Sequence, residues 1–371
     1  MSPSCLAWRP VVSAKSRCHQ GYEHARYKGR MHKPSPDKPH QTLDHQAGQV
    51  RIGISGWRYE PWRGVFYPDD LPQRRELEFA SRALPSIEIN GTFYALQTPA
   101  SFEAWFNATP DDFVFSVKAP KYVTHVRRLN DVDKPIANFL ASGMLRLRHK
   151  LGPILWQFPP SFRFDAALFE DFLAQLPHDT EAALSLARHH DPFMASRVHL
   201  AIDQKRPLRH AVEIRHQSFV DGAFIDLLRR HQVALVVADT AGKWPMLEEP
   251  TSDLMYLRLH GDKELYASGY SDEALDRWAE RIHAWRQGGQ PRDAKTVDGA
   301  TAKAAKPRHR DIHVYFDNDI KVRAPFDAAR LMHRLGLADT LNAEGHFEVA
   351  LPAEDKPKRS AQKKAPRQAG P

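Results

Sequence analysis

Eight short runs rich in β-branched and aromatic residues recur through the middle of this sequence, and most are separated by stretches of helical periodicity. The strand-like runs are "RIGIS" (51–55), "SIEIN" (86–90), "FVFSVK" (113–118), "GPILWQF" (152–158), "HAVEIR" (210–215), "VALVVAD" (233–239), "LMYLRLH" (254–260) and "IHVYFDN" (312–318). Between them lie "PQRRELEFASRAL", "TPASFEAWFNAT" with Pro99 in a first turn, "DAALFEDFLAQL", "DGAFIDLLRRHQ" and "SDEALDRWAERIHAWRQ", the last capped by Ser271. Strands that alternate with helices need crossover connections and therefore pair in parallel. Eight such units within about 290 residues fit an α/β fold of the (β/α)8 TIM-barrel-like type, whose usual size is roughly 250 residues. The step from Asp239 to Leu254 is the exception, because "TAGKWPMLEEPTS" is short and broken by proline. It leaves a doubly wound open sheet as the alternative.

The formal net charge of +8 does not belong to the periodic part. Residues 1–49, 286–310 and 352–371 carry the excess of lysine and arginine, and the rest of the chain is net acidic. "MHKPSPDKPHQ", "QPRDAKTVDGATAKAAKPRHR" and "AEDKPKRSAQKKAPRQAGP" are poor in apolar periodicity, as disordered segments are. The expected organisation is a disordered basic leader over 1–49, one barrel domain over 50–340 with a disordered insertion at 288–310, and a disordered basic tail over 352–371. Met31 offers an alternative start within the leader. Basic tails of this kind support weak nucleic-acid contact at most. No apolar run approaches the roughly 20 residues of a membrane span, and Arg9 and Pro10 break "CLAWRPVV" as a signal segment. A cytoplasmic protein without membrane association is expected. The two cysteines, Cys5 and Cys18, precede the periodic region, which excludes a disulfide framework or a thiol nucleophile there.

In a barrel the site lies at the C-terminal ends of the strands. Here those ends are Ser55, Asn90, Lys118, Gln157, Arg215, Asp239, His260 and Asn318. By the two-residue period of a strand, Glu88 shares a face with Asn90, Glu213 with Arg215, and Arg258 with His260. The opposite faces carry Ile87 and Ile89, Val212 and Ile214, Leu257 and Leu259, which suit packing against helices. Glu88 and Glu213 are then buried, and a buried carboxylate must be paired. Lys118, Arg215 and Arg258 are the expected partners. A charge network without chemistry explains any one of these residues; eight polar ends at one mouth argue for a site.

Six stretches, "GISGWRYEPWRGVFYP", "IEINGTFYALQTPASFEAWFNATPDDFVFSVKAPKYVTH", "LGPILWQFPPSF", "AVEIRHQSF", "YLRLHG" and "VYFDN", together resemble the domain of unknown function 72 family, also called YecE-like. The resemblance runs in order over roughly residues 50–335. It implies a TIM-barrel-like fold and supplies no reaction. Matching positions include Trp57, Glu88, Asn90, Phe93, Tyr94, Lys118, His125, Gln157, Pro159, Glu213, Arg215, His216, Asp239, Arg258, His260, Gly261 and Asn318. The leader, the insertion, the tail and Ile54, where a threonine is expected, depart from it.

The expected function is a metal-independent acid/base enzyme acting on a small phosphate- or carboxylate-bearing substrate, with no cofactor. Glu88, Glu213, His260 and Lys118 form the expected catalytic set, since carboxylates, imidazole and a tunable amine exchange protons. Asn90, Tyr94, His125, Gln157, Arg215, Asp239, Arg258 and Asn318 are the expected substrate contacts, the guanidinium groups suiting oxyanions. One alternative is a metal-dependent phosphodiesterase with a divalent ion held by Glu88, His125, Glu213, His216, Asp239 and His260. No HxH or HExxH spacing occurs, and three cations in the same mouth oppose it. A non-catalytic nucleotide- or nucleic-acid-binding protein is the other. Phosphate loops, dinucleotide fingerprints and nucleophile elbows are absent from the sequence, and the neighbouring cations disfavour a glycosidase. His189, His190, His199 and His210 are expected to be exposed.

Overall fold

A computed structural model describes residues 48–300 and 309–352; the expected leader, the tail beyond Pro352 and residues 301–308 lie outside the described residues. All eight expected strands form, with ends shifted by a residue or two: β1 (Val50–Ser55), β2 (Ser86–Ile89), β3 (Val114–Lys118), β4 (Leu151–Gln157), β5 (His210–Glu213), β6 (Ala234–Asp239), β7 (Leu254–Leu259) and β8 (Asp311–Phe316). They pair in parallel in sequence order and close with β8 on β1, where Ile52 lies opposite Val314. This is a (β/α)8 TIM-barrel-like fold, and the closure removes both sheet edges.

The helices arise where the sequence places caps and apolar stripes. They are α1 (Glu76–Ala83), α2 (Gly91–Tyr94), α3 (Pro99–Ala108), α4 (Asp133–Ala141), α5 (Ala166–Ala174), α6 (Thr180–Ala187), α7 (Gly222–Arg230), α8 (Asp272–Arg286) and α9 (Ala324–Arg334). Thr98, Asp165, Asp179, Asp221 and Ser271 each accept a backbone N–H in the first turn of the helix that follows, satisfying donors that the helix itself leaves free. Ile87, Ile89, Val212, Ile214, Leu257 and Leu259 belong to the large apolar core together with helix residues such as Phe224, Leu228, Leu275 and Ile282. Fully burying one such side chain contributes roughly 1.5–3 kcal/mol.

No helix joins β6 to β7, in keeping with the broken "TAGKWPMLEEPTS". Part of the stretch expected to be disordered packs there instead. Glu248 N donates to Lys295 O at 2.7 Å, and Lys295 N and Val297 N donate to the buried carboxylates of Glu248 and Glu249, each at 2.8 Å. Val297 and Ala300 pack on the core. Residues 288–300 are thus fastened along the β6–β7 connection by carboxylates that the connection supplies.

Inside the barrel the filling is unusually polar. Leu155, Ala211, Ala234, Val236, Ala238 and Leu254 share it with Tyr256 and Tyr315. The two tyrosines reach Ser116 Oγ at 2.7 Å and Ser86 Oγ at 2.8 Å. Each hydroxyl gains a partner, as burial demands. Among the described residues no helix is long and apolar enough to cross a membrane.

His210 corrects an expectation. It is not exposed but fully buried at the start of β5, where Trp156 Nε1 donates to its Nδ1 at 3.1 Å and its Nε2 donates to Pro177 O at 2.8 Å. The alternation of β5, which puts Val212 and Ile214 on the core side, puts His210 there as well. Burial lowers its pKa to about 4, so the ring is neutral near pH 7. The unfolded chain takes up this proton near pH 6.5 and the folded chain only near 4, so stability falls as pH drops through that window. His210 alone should cost on the order of 3 kcal/mol across it. Urea unfolding from pH 7 to 4 should show a decline that is shallower in His210→Gln; equal slopes would refute the assignment.

Candidate functional site

The strand ends bring together a chain of charges centred on Arg258, a fully buried β7 residue. Its Nε and Nη2 donate to Glu88 Oε2 and Oε1 at 3.1 and 2.9 Å. Nη2 also donates to Asp317 Oδ2 at 2.7 Å and Ser55 Oγ at 3.0 Å, and Nη1 donates to Glu213 Oε2 at 2.8 Å. His260 Nε2 lies 3.4 Å from Nη1. Each of the three guanidinium nitrogens therefore already donates to carboxylate. Arg258, expected as a substrate contact, is bound by three carboxylates brought in by β2, β5 and the end of β8.

The carboxylates are held as tightly. Glu88 also accepts from Tyr256 OH at 2.6 Å and from Ser55 Oγ. Glu213 accepts from Gln157 Nε2 at 2.9 Å to both oxygens and from Arg215 Nε at 2.8 Å. Burial alone raises its pKa, but Arg215 and Arg258 outweigh burial and hold it well below the ordinary carboxylate range. Asp317 follows the same pattern: burial opposes its charge and Arg258 overrides it, leaving the pKa lowered. Asp319 goes the other way, raised well above its usual value by burial and then by the charge of Asp317. The neighbouring charge disfavours ionising Asp319 because two carboxylates cannot both ionise cheaply side by side.

Above this layer stands Lys118, at the end of β3. Its side chain is only 8% exposed, and Nζ has neither a hydrogen-bond nor an ion-pair partner among the described residues. It lies 4.4 Å over the ring of Phe93. Burial and then the charge of Arg258 lower its pKa to about 8, although Glu88, Glu213 and Asp317 pull the other way. Arg215 stacks at 3.9 Å on Trp244 and uses Nε for Glu213, while its two terminal nitrogens make no hydrogen bond among the described residues. His125 sits edge-on to Phe93 at 5.1 Å and bonds Thr124 through Nδ1 at 2.8 Å. Burial, then Lys118 and Arg215, lower its pKa to about 4, so it faces the mouth as a neutral imidazole. It is carried on a single π-helical turn, Tyr122–Val126, a local distortion that recurs at functional sites.

The remaining expected residues divide by position. His260 is fully buried with Nδ1 3.1 Å from Asp317 Oδ2, but poorly aligned for a hydrogen bond. Tyr266, at a left-handed φ of 63°, sets its ring 5.2 Å from that of His260. Asn90 donates to Ser55 Oγ at 3.2 Å and keeps a buried Oδ1 without a partner, lining a pocket of about 340 Å3 with Trp57, Tyr59 and Trp105. Asp239 accepts from Tyr270 OH at 3.0 Å and is raised by burial. Asn318 does not face the mouth; it donates to Ser268 O and Asp327 Oδ2 and fastens the start of α9. Tyr94 is 70% exposed and borders a groove of about 480 Å3 beside Phe93, with Tyr122, Val126 and Phe193. Among the described residues no three His, Cys, Asp or Glu side chains converge as metal ligands, and the lone pairs of Glu88 and Glu213 are committed to donors. His216 instead bonds Ser218.

Sequence reasoning missed Asp317, Asp319, Tyr256 and Tyr266. The signal for Asp317 was present: in "IHVYFDN", Ile312, Val314 and Phe316 form the core face. His313, Tyr315 and Asp317 therefore point inward, and Asn318 has the wrong parity.

The family described as "Protein of unknown function DUF72" matches residues 51–349. The sequence is 30% identical over 118 residues to the UPF0759 protein YunF of Bacillus subtilis (strain 168), covering 30% of this chain and 41% of that relative. It is 25% identical over 243 residues to the UPF0759 protein YecE of Escherichia coli O157:H7, covering 64% of this chain and 82% of the relative. A solved DUF72 family protein from Thermotoga maritima MSB8 superposes with a TM-score of 0.55 at 24% identity, over 78% of this chain and 99% of the other. One from Enterococcus faecalis V583 gives 0.56 at 16% identity, over 78% and 96%. These structures share the fold.

Two substitutions separate the layers. Arg258→Met removes the cation shared by three carboxylates, of which Glu213 alone keeps an arginine, Arg215, and should destabilise the fold by about 3–5 kcal/mol in denaturant unfolding. Lys118→Met should do the reverse. The folded pKa of about 8 lies below the 10.5 of the unfolded chain, so the lysine weakens the fold fully below pH 8 and progressively less up to pH 10.5. Removing it should stabilise the protein at pH 7 by on the order of 2–3 kcal/mol. Destabilisation by Lys118→Met would make the amine a structural partner.

Proposed function

Since the chain belongs to the DUF72 family, whose description assigns no reaction, we propose from the mouth geometry that it is a metal-independent acid/base enzyme for a small anionic substrate. The carrying observation is a nearly buried Lys118 whose amine has no protein partner among the described residues, with an Arg215 whose terminal nitrogens make no hydrogen bond among them and whose charge, like that of Lys118, acts on His125. A substrate carboxylate or phosphate would pair with the free edge of Arg215 and leave the Lys118 amine for the reacting part of the substrate.

The roles then differ from residue to residue. Arg215, aimed by Glu213 and flattened against Trp244, presents its guanidinium edge to the anion, a fixed geometry that suits two oxygen atoms. Lys118, about half neutral at pH 8, takes a proton from the substrate or returns one. His125, neutral at the same pH, offers a hydrogen bond without adding charge. Glu88, Glu213 and His260 act beneath as positioning residues that set the field at Nζ. Asp239 and Asn90 lie at the border of the mouth, where substrate contacts would extend.

Thermal-shift measurements on the full chain, with and without chelator, should find phosphorylated or carboxylated compounds that raise Tm in both conditions. Each charge-assisted contact contributes about 1.5–3 kcal/mol, so Arg215→Met should weaken such a ligand by roughly 10- to 100-fold. Stabilisation that appears only with a divalent metal, or that survives Arg215→Met unchanged, would overturn this reading.

A further inference from the structure

We propose that Lys118 is a Schiff-base lysine, and that the substrate of this site is a small carbonyl compound bearing an anionic group, whose carbonyl carbon condenses with Nζ. The inference rests on the anion reading above and narrows it to a chemical class.

Three observations lead there. The first is the surroundings of Nζ: it ends a strand at the barrel mouth, nearly buried, over the face of Phe93, with no acceptor among the described residues. An amine kept only to hold an anion would gain from full charge and from bonded neighbours that fix it. This one is nearly buried and has no protein acceptor among the described residues, which favours the uncharged nucleophilic form. Its lowered pKa agrees.

The second is charge. The buried set contains three carboxylates, Glu88, Glu213 and Asp317, in ion pairs with Arg258 and Arg215. All three carboxylates attract positive charge at Nζ, while Arg258 repels it. The free amine is neutral enough to attack, and the product cation is stabilised where it forms. The third is division of labour. Arg215, which shares an electrostatic neighbourhood with Lys118 around His125, has its terminal nitrogens available for the anionic group, so Lys118 is not needed for that task.

The step balances without an oxidant or reductant. The Nζ lone pair forms a bond to the carbonyl carbon and the carbonyl π electrons move to oxygen. That oxygen takes one proton from the nitrogen and one from solvent, and leaves as water as the C=N bond forms. One N–H remains, and the nitrogen carries the positive charge that was the added proton. A protonated imine draws electrons from the adjacent carbon, so a proton next to the former carbonyl becomes acidic, which is the acid/base chemistry assigned to the mouth.

Incubation of the full chain with pyruvate or with uncharged hydroxyacetone, each with cyanoborohydride, followed by peptide mass spectrometry, tests the proposal. Lys321, 60% exposed and at the surface, serves as internal reference. Lys118 should acquire the reduced pyruvate adduct about tenfold or more faster than Lys321 at pH 7, because more of it is neutral there. Its rate should rise with pH and level off above about 8, as the lowered amine pKa dictates. Arg215→Met should slow the pyruvate adduct about tenfold or more relative to the hydroxyacetone adduct in the same variant. Labelling of Lys118 no faster than Lys321 overturns the proposal. If pyruvate nevertheless raises Tm, the anion site stands and only the Schiff base falls. If both probes label Lys118 equally and Arg215→Met has no effect, the Schiff base stands and the anion reading falls.

Discussion

A buried guanidinium bound by three carboxylates governs the top of this barrel. Desolvating any of these ions alone is prohibitive, so each requires the others in place. Arg258 on β7 reaches Ser55 on β1, Glu88 on β2, Glu213 on β5 and Asp317 just past β8. One side chain thus ties strands on several sides of the closed sheet. The polar interior follows from it: Tyr256 and Gln157 exist in that layer as further donors to the same carboxylates. Arg258 is fully occupied by protein acceptors, so the cations of the mouth with donors that lack such partners among the described residues are others. Lys118 and Arg215 are the ones so placed.

Burial separates the side chains of the mouth into two groups. Glu88, Glu213 and His260 sit low, with their polar atoms turned to one another. Lys118, Arg215, His125 and Tyr266 sit above, where fewer protein partners are available. Residues that stay unsatisfied weaken a fold, and proteins retain them where function needs them. Local backbone supports the same placement. Tyr266 holds a positive φ beside His260, and His125 rides on a π turn. Gly261 meets a comparable demand: at φ 126° its N–H reaches Tyr270 OH, and an added Cβ would lie 2.4 Å from Glu264 O.

The barrel was legible in the sequence because its strands are short, β-branched and regularly spaced, and because parity separates Ile87 and Ile89 from Glu88. The prolines of "TAGKWPMLEEPTS" correctly marked the one connection without a helix. What composition could not show was that residues 288–300 would pack there, since backbone bonds to Glu248 and Glu249 leave no hydrophobic signature. Glu88, Glu213 and Arg258 were legible as members of the charged cluster, whereas Asp317 and the arrangement were not. Sequence parity says that Glu88, Glu213 and Arg258 face inward, but only distances reveal that Arg258 is consumed by three carboxylates and Lys118 by none. His210 was misjudged by grouping it with the histidines of the helical stretch before "AVEIR" rather than with the strand it opens, and Asn318 by taking the last polar residue of a run rather than the one with inward parity.

The protonation state of Lys118 tests this account most directly. A titration of the full chain with isotopically labelled lysine, followed by NMR and assigned with Lys118→Met, would read the amine pKa in place. The account predicts a midpoint near 8, as burial and the nearby Arg258 dictate. A midpoint near the 10.5 of a free lysine would mean that Nζ has found a partner or solvent, and the mouth would lose the group on which its proposed chemistry depends.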